Sequence, residues 1–231
     1  MLQSKKYFFF FSILLCIGCK TTETANYKSS IALKNNYLSG NSIAIFEGIS
    51  DTTFVKLKKF SSDFEFDMKY ATEDNFLKQK VYDCDECYLR LKTIKFLMDA
   101  NAEFQQKGYR IKLLDCYRPM DIQKKMWEIV PNADYVADPK KGSVHNRGGA
   151  VDITLVDLKG KELDMGTTFD FFGPEASHNY QGFSKRITKN RIYLKEIMLK
   201  HNFKSFNSEW WHYNLSESTK DKLANFKWKC D

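Results

Sequence analysis

Several short segments of the chain alternate apolar and polar residues with a period of two, which predicts half-buried β-strands. Apolar residues at helical spacing, and a proline that suits a first helical turn, predict helices between them. Strands are predicted over 64–70, 109–116, 150–158 and 209–215, and helices over 88–107, from 119 onward and over 188–201. Because these elements follow one another without a regular β-α-β order, we predict an α+β fold. It would be a single domain with a mostly antiparallel central sheet flanked by helices.

The first residues carry a separate pattern that is typical of an export signal. A basic start precedes an apolar run over residues 7–17, which ends at Gly18 and Cys19. This run is too short to cross a bilayer as a helix, which takes about 20 residues. We interpret residues 1–18 as a lipoprotein-type signal peptide, cleaved before Cys19 so that this cysteine carries the lipid. An ordinary secretory signal with an incidental cysteine is the alternative.

The segment after the signal predicts how the folded part is attached. Residues 19–42 are rich in Thr, Ser, Asn and Lys, a composition that is typical of a flexible tether. Residues 43–231 then form the folded domain. This organisation predicts an exported protein of the cell envelope or periplasm, which is held at a membrane by its lipid alone.

Composition limits the class of protein and the kind of partner. The chain has 231 residues, of which 43% are hydrophobic, so it can bury the core of one domain and is not a disordered sequence. The net charge of +7 is a small excess over charges of both signs. We therefore predict no nucleic-acid partner, since such proteins normally carry a strongly basic patch.

The cysteines that follow the tether predict disulfides. In an oxidising compartment, four cysteines suggest two disulfides, and three pairings are possible. The spacing of the first two also fits half of a zinc knuckle or a redox pair, although no second metal-binding pair accompanies them. The four residues are Cys84, Cys87, Cys116 and Cys230.

A loop before the predicted strand 150–158 brings a histidine and a carboxylate within reach of each other. His145 precedes Asp152, and the pair Gly148-Gly149 between them permits a tight turn into the strand. Both side chains can then converge on one metal ion. A surface histidine beside a solvated aspartate is the simpler alternative for this pair alone.

The last predicted strand contains polar groups where a core strand should be apolar. Glu209 and His212 flank two tryptophans, and burying either group without a partner is costly. A metal ion would compensate that cost. In a regular strand residues 209 and 212 face opposite sides, so the two side chains can share a site only if the chain bends.

Two histidines and one aspartate form a set that is typical of catalytic zinc, which keeps one position open for water. A nearby carboxylate that is not a ligand can then take the proton of that water, and Glu209 suits this role. Arg118 precedes a proline that fixes its backbone, so its guanidinium could stabilise an oxyanion. A surface arginine that pairs with Asp121 is the alternative.

Taken together, these motifs resemble the zinc D-alanyl-D-alanine dipeptidases of the vancomycin-resistance type. The wider group contains zinc D,D-carboxypeptidases and hedgehog-like domains. The resemblance covers residues 60–215 in order, and the co-occurrence of its motifs is more specific than any one of them. The motifs are Lys69-Tyr70-Ala71-Thr72, Asp115-x-Tyr117-Arg118-Pro119, Ser143-x-His145-x-x-Gly148-x-Ala150-x-Asp152, Met165-Gly166-x-x-Phe169-Asp170 and Glu209-Trp210-Trp211-His212.

The resemblance implies a role for each matching residue. His145, Asp152 and His212 match the ligands of one zinc ion per chain. Glu209 matches the general acid/base, and Arg118 matches the residue that stabilises the transition state.

The resemblance also implies a substrate site. Tyr70 and Asp170 match groups that hold the free ammonium of a dipeptide, and Ser143 matches a hydroxyl that contacts the substrate. The expected activity is hydrolysis of D-Ala-D-Ala to two D-alanines in cell-wall metabolism. The alternatives are a D,D- or L,D-carboxypeptidase acting on peptidoglycan stem peptides, and a binding module that keeps the metal without catalysis.

Overall fold

The structure is a computed structural model that describes residues 46–230. The predicted signal peptide, the tether with Cys19 and the first residues of the predicted domain lie outside this range. Within residues 46–230 no helix is long and apolar enough to span a membrane.

The described residues contain seven β-strands and three α-helices. The strands are β1 (Phe54–Lys56), β2 (Glu65–Phe66), β3 (Tyr88–Arg90), β4 (Tyr109–Asp115), β5 (Ala150–Asp157), β6 (Phe203–Phe206) and β7 (Glu209–Leu215). The helices are α1 (Leu91–Gln105), α2 (Met120–Ile129) and α3 (Lys185–Lys200). Five short 3₁₀ turns connect them at Leu57–Lys59, Lys69–Ala71, His145–Arg147, Pro174–Ala176 and Ser218–Lys220.

The strands form one main sheet and one small sheet. The main sheet has the order β2-β4-β5-β7-β6, and β1 pairs with β3 in the small one. Every pair is antiparallel except β2 with β4, which is parallel. Helix α1 packs against β4 and α3 against β6, and the two helices touch each other. The predicted α+β fold with a mostly antiparallel sheet is confirmed.

Some predicted elements differ from those in the structure. The strand predicted over 64–70 is only the two residues of β2, because the chain turns into a 3₁₀ helix at Lys69–Ala71. The helix predicted over 88–107 begins at Leu91, since the three residues before it pair with β1. Strand β6 was not predicted. It is an edge strand with only one buried residue, so it has little apolar alternation.

Two disulfides close the structure. Cys87 is bonded to Cys116, and Cys84 is bonded to Cys230. The two disulfides predicted from the cysteine count are present, and Cys84 and Cys87 pair with distant partners rather than with each other or as half of a zinc knuckle. The first bond is fully buried and joins the start of β3 to the end of β4. The second holds the C-terminal segment against the body of the domain.

Candidate metal centre and its surroundings

Three side chains from two strands and one turn converge at the end of the main sheet. His145 Nε2 lies 3.2 Å from His212 Nδ1 and 3.3 Å from Asp152 Oδ2. His212 Nδ1 lies 2.9 Å from Asp152 Oδ1. One ligand atom from each of the three residues falls within 4.8 Å of the others. The structure thus brings together the three residues that the sequence predicts as metal ligands.

Strand register places two of these residues side by side. Asp152 of β5 pairs directly with His212 of β7, so the two side chains leave the same face of the sheet as neighbours. On the other side of β5, Asp152 pairs with Asp115 at the end of β4. A row of three polar residues therefore crosses the adjacent strands β4, β5 and β7.

The third residue, His145, is set by a turn that only glycine allows. His145 begins a 3₁₀ turn that ends at Gly148, whose φ is 69° in the left-handed region. A Cβ atom at Gly148 would overlap the ring of Phe54, and one at Gly149 would overlap the side chain of Ser218. The two glycines therefore let the chain pass between these side chains and enter β5.

Each histidine makes a second hydrogen bond that fixes which ring nitrogen is free. His145 Nδ1 donates to the carbonyl oxygen of Cys116 at 2.7 Å. His212 Nε2 donates to Asn214 Oδ1 at 2.9 Å. Such outer hydrogen bonds fix the ring orientation of histidine ligands. The nitrogens that face Asp152 are then His145 Nε2 and His212 Nδ1.

This donor set fits a divalent cation. The other ring nitrogen of each histidine is already hydrogen-bonded. The lone pairs of His145 Nε2 and His212 Nδ1 therefore face the carboxylate of Asp152 in a buried space, and this arrangement requires positive charge between the three groups. Two imidazoles and one carboxylate are a ligand set that zinc takes in hydrolytic enzymes.

The pKa shifts of the cluster also favour a bound positive charge. Burial lowers the pKa of His212, but hydrogen bonding and attraction to Asp152 outweigh it, so the net pKa is raised. Burial raises the pKa of Asp152, but the neighbouring His145 and His212 bring the net value well below the usual range. The site therefore attracts positive charge, either a proton or a metal ion.

Glu209 reaches the cluster because β7 is irregular. The pairing of β6 with β7 shifts between Ser205 and Phe206, where Phe206 pairs with Glu209 while Ser205 pairs with Tyr213. This irregularity provides the bend that the sequence requires, and Glu209 Oε2 lies 3.9 Å from His212 Nδ1. Burial is the main reason that the pKa of Glu209 is raised.

Arg118 is buried beside the cluster and is not paired with Asp121. Its Nη2 donates to Asp115 Oδ2 at 2.7 Å, and its Nη1 donates to Gln123 Oε1 at 3.2 Å. No partner is found for its Nε within the described part of the chain. The surface pairing with Asp121 that the sequence left open is therefore wrong, and one N–H group of the guanidinium is buried without a partner among these residues.

Tyr70 and Asp170 meet at the other end of the site. The Tyr70 hydroxyl donates to Asp170 Oδ2 at 2.8 Å, and the Arg118 guanidinium lies 5.1 Å from the centre of the Tyr70 ring. Asp170 has a φ of 54°, which is uncommon for a residue other than glycine. Burial raises its pKa well above the usual value, and the nearby Asp152 raises it further.

A cavity of about 700 Å³ opens beside this end of the site. Asp170 and Phe169 form part of its wall, and Leu114, Thr154 and Trp210 also line it. Its volume falls in the range of about 300–1,000 Å³ that holds drug-sized ligands. Asp170 is the predicted site residue in this wall, so the cavity adjoins the proposed ammonium site.

Ser143 is the predicted site residue that the structure does not turn toward the others. Its hydroxyl donates to Asn146 Oδ1 at 3.1 Å, and its backbone N–H donates to the same oxygen at 2.7 Å. Asn146 in turn donates to the carbonyl oxygen of Arg118 at 2.8 Å. In this structure Ser143 therefore shapes the turn that carries His145.

Asp115 is an important residue to which the sequence analysis gave no role. It is fully buried and accepts hydrogen bonds from Arg118, from the Tyr82 hydroxyl at 2.7 Å and from the Cys116 N–H at 2.9 Å. The sequence did contain a sign of this role, because Asp115 lies near the end of a predicted strand, three positions before Arg118.

Comparison with known proteins agrees with this geometry. The profile of the D-ala-D-ala dipeptidase family, peptidase M15, matches residues 50–228. The chain belongs to this family. The M15 dipeptidases are metallopeptidases, so the cluster of His145, Asp152 and His212 lies in a metallopeptidase domain. The resemblance drawn from the sequence motifs is confirmed.

Individual relatives match over most of their length. A D-alanyl-D-alanine dipeptidase of Escherichia coli is 35% identical over 184 residues, which cover 79% of this chain and 95% of that protein. A D-alanyl-D-alanine dipeptidase of Enterococcus faecium is 31% identical over 187 residues, which cover 71% of this chain and 92% of that protein. The aligned part of this M15 chain thus corresponds to nearly the whole of each relative.

Proposed function

We propose that this M15 metallopeptidase hydrolyses D-Ala-D-Ala to two D-alanines in cell-wall metabolism, with one zinc ion per chain. The observation that carries the proposal is the convergence of His145, Asp152 and His212, with Glu209 beside them. The relatives that are named D-alanyl-D-alanine dipeptidases support the choice of substrate.

His145, Asp152 and His212 would hold the zinc ion, through Nε2, a carboxylate oxygen and Nδ1 respectively. When bound, zinc would supply Lewis acidity, which makes a water molecule nucleophilic near neutral pH. The hydrogen bonds to Cys116 and Asn214 keep both imidazoles oriented before the metal arrives.

Glu209 would act as the general base and then as the general acid. Its carboxylate would take a proton from the attacking water and pass it to the nitrogen of the departing D-alanine. Its position 3.9 Å from His212 Nδ1 supports this role, since it is near the cluster without completing the set of three ligands. Its raised pKa helps it to hold the proton between the two steps.

Arg118 would stabilise the negative charge that develops on the carbonyl oxygen of the scissile bond. Its bonds to Asp115 and Gln123 hold the guanidinium in one orientation, so little reorganisation is needed when the charge forms. The donor that we assign to this task is the Nε hydrogen, for which residues 46–230 contain no partner.

Tyr70 and Asp170 would hold the free ammonium group of the dipeptide. Among the described residues, the Tyr70 hydroxyl and no cationic side chain is hydrogen-bonded to the buried carboxyl group of Asp170. Such a group gains most from a ligand that carries positive charge. Ser143 would contact the substrate after its hydroxyl rotates away from Asn146.

The experiment is to measure D-alanine release from D-Ala-D-Ala by purified residues 20–231, with added zinc and with a chelator. We expect release that depends on the metal and stops with the chelator. Zinc binding without any hydrolysis would instead favour the non-catalytic binding module.

The cavity beside Asp170 favours one second candidate, a carboxypeptidase that acts on longer stem peptides. Its volume of about 700 Å³ could hold residues that precede the terminal dipeptide. A direct comparison of D-Ala-D-Ala with a pentapeptide stem separates the two activities. Faster cleavage of the stem would make the carboxypeptidase the main function.

We also propose that the protein is exported and anchored through a lipid on Cys19. The two disulfides support an oxidising compartment, where such bonds persist. Mass spectrometry of the N-terminal peptide would test this, since a lipid on Cys19 adds a defined mass. A C19A variant should then leave the membrane fraction, and a chain that retains residues 1–18 would contradict the proposal.

A further inference from the structure

The carbonyl oxygen of Cys116 contacts one of the three residues of the candidate metal centre. It accepts the hydrogen bond from His145 Nδ1 at 2.7 Å, which directs Nε2 of the same ring toward Asp152 and His212. A displacement of this carbonyl would tilt the imidazole and move Nε2 away from the other two ligands. The position of one main-chain group therefore affects the geometry of the whole cluster.

The side chain of Cys116 is bonded to Cys87 at the start of β3. Both cysteines are fully buried, and their Cα atoms are 5.4 Å apart. Next to this bond the Tyr117 N–H donates to the Tyr88 carbonyl oxygen at 3.0 Å. The disulfide and this hydrogen bond together join the small sheet to the main sheet, at Cys116 and at the residue after it.

Segments from different parts of the chain meet at the Cys87–Cys116 disulfide. Cys87 is itself fixed, because its carbonyl oxygen accepts a hydrogen bond from the Leu57 N–H at 3.0 Å. Cys116 follows Asp115, whose carboxylate holds Arg118. Breaking the sulfur–sulfur bond would remove the covalent link between Cys116, directly after β4, and Cys87, directly before β3.

The second disulfide provides a comparison within the same molecule. Cys84 and Cys230 join the C-terminal segment to the domain, and the Cys84 sulfur lies 3.2 Å from Trp228 Nε1. The segment does reach the loop of His145, through the Ala224 N–H that donates to the Asn146 carbonyl oxygen. That contact lies six residues before Cys230, so it does not depend directly on the bond.

We propose that the Cys87–Cys116 disulfide is a positioning element for His145, and that the affinity of the centre for zinc depends on this bond being intact. The inference rests on the metal site of the proposed function, but it does not depend on which peptide is hydrolysed. Loss of an outer hydrogen-bonding partner costs about 10–100-fold in metal affinity, which sets the effect that we expect.

Thermodynamic reciprocity provides a test with the unmodified protein. If the disulfide strengthens zinc binding, zinc must oppose reduction of the disulfide by the same factor. In the reduction, one dithiothreitol loses two electrons and two protons to form its cyclic disulfide, and Cys87 and Cys116 each gain a thiol hydrogen. The fraction reduced at each disulfide is measured by alkylation and mass spectrometry, with free zinc held constant by a metal buffer.

We expect zinc to lower the equilibrium constant for reduction of Cys87–Cys116 by about 10–100-fold. The constant for Cys84–Cys230 in the same samples should change little. Zinc binding to the released thiolates would favour reduction, so it cannot produce this result. An equal effect of zinc on both disulfides, or no effect on Cys87–Cys116, would overturn the proposal.

Two double variants provide a second test, with metal binding rather than hydrolysis as the readout. Zinc affinity by chelator competition should fall about 10–100-fold in C87A/C116A and stay near the unmodified value in C84A/C230A. The visible spectrum of bound Co²⁺ reports ligand geometry, and we expect it to change only in C87A/C116A. A folded C87A/C116A variant with unchanged affinity and spectrum would refute the proposal. If this variant does not fold, the reduction experiment decides.

Discussion

The two ends of the candidate site are built in different ways. At the metal end, Asp152 and His212 lie opposite each other on paired strands, and both histidines are oriented by a second hydrogen bond. At the other end, Tyr70 lies in a three-residue 3₁₀ turn and Asp170 in a loop, and one hydrogen bond joins them. The sheet supports Asp152 and His212, whereas a short turn and a loop support Tyr70 and Asp170.

This difference indicates how each end meets its ligand. A strand ladder holds neighbouring side chains at a fixed spacing, so the metal end is organised before the ion arrives. A loop residue such as Asp170, with its left-handed backbone, depends on the segments around it. We therefore expect changes at the metal end to affect catalysis and metal binding, and changes at the loop end to affect substrate affinity.

The largest effect should follow from removing one of the three proposed metal ligands. H212A should lose stoichiometric zinc binding and fall to background activity, a greater loss than the about 10–100-fold cost of an outer partner. Added zinc should stabilise the unmodified protein by about 2.7 kcal/mol at 100 times its dissociation constant, and it should not stabilise the variant. Zinc content and thermal unfolding are the measurements.

His201 provides the matched control for this change, because it pairs with Glu103 at 2.8 Å and not with the cluster. H201A should keep one zinc ion per chain and most of its activity. If H212A retained tight zinc binding, the three-ligand assignment would be wrong.

Glu209 should give the next largest effect. E209Q keeps the size of the side chain but removes the base, so kcat should fall by about 10²–10⁴-fold. Zinc affinity should change little, because Glu209 is not assigned as a ligand. Turnover is measured by D-alanine release, with zinc content determined on the same samples. Full activity in E209Q with zinc bound would show that another group accepts the proton.

Asp170 should affect substrate affinity more than turnover. A hydrogen bond to a charged group contributes about 1.5–3 kcal/mol, and each 1.4 kcal/mol is tenfold. D170N should therefore raise KM for D-Ala-D-Ala by about 10–100-fold and leave kcat nearly unchanged. Y70F should also raise KM for D-Ala-D-Ala, but by a smaller factor.

An acylated dipeptide sharpens the prediction for Asp170. N-acetyl-D-Ala-D-Ala lacks the ammonium group, so the unmodified protein should prefer the free dipeptide and D170N should lose that preference. A preference that survives in D170N would mean that the ammonium group binds elsewhere.

The smallest effect should come from a substitution of Glu103, whose carboxylate lies outside both ends of the candidate site. Burial raises the pKa of Glu103, but hydrogen bonds from Lys200 and His201 outweigh it, so the net pKa is lowered. A carboxylate with a lowered pKa stabilises the folded protein above its ordinary pKa, and this contribution is lost as the pH falls through the lowered value.

E103Q should therefore destabilise the protein by roughly 0.2–1 kcal/mol near pH 7, and this difference should shrink in acid. Its kinetic constants should match those of the unmodified protein. Urea unfolding at several pH values tests this. A kinetic effect as large as that of D170N would remove the contrast between the site and the rest of the surface.

The sequence predicted the elements that have clear local patterns. The strand predicted over 209–215 is β7 with the same limits, and the one predicted over 150–158 differs from β5 by one residue. Both are long and strongly patterned. Strands β1, β2 and β6 have two to four residues, which is too short for a period of two to be distinctive.

The same distinction applies to the candidate site, where some residues could be recognised from the sequence and others could not. The identities of His145, Asp152 and His212 could be inferred from residue type and motif, since metal binding depends on donor chemistry. Asp115 could not, because its role comes from contacts with Arg118, Tyr82 and Cys116 that only the packed structure contains.

By itself the sequence determined the donor groups and the alternating pattern that forms the central strands, because both are properties of single residues and their near neighbours. Tertiary structure decided the register of Asp152 against His212, the irregularity in β7 that brings Glu209 to them, and the pairing of the four cysteines. These features join residues that are far apart along the chain. They are selected by the free energy of the whole packed domain, which no local pattern records.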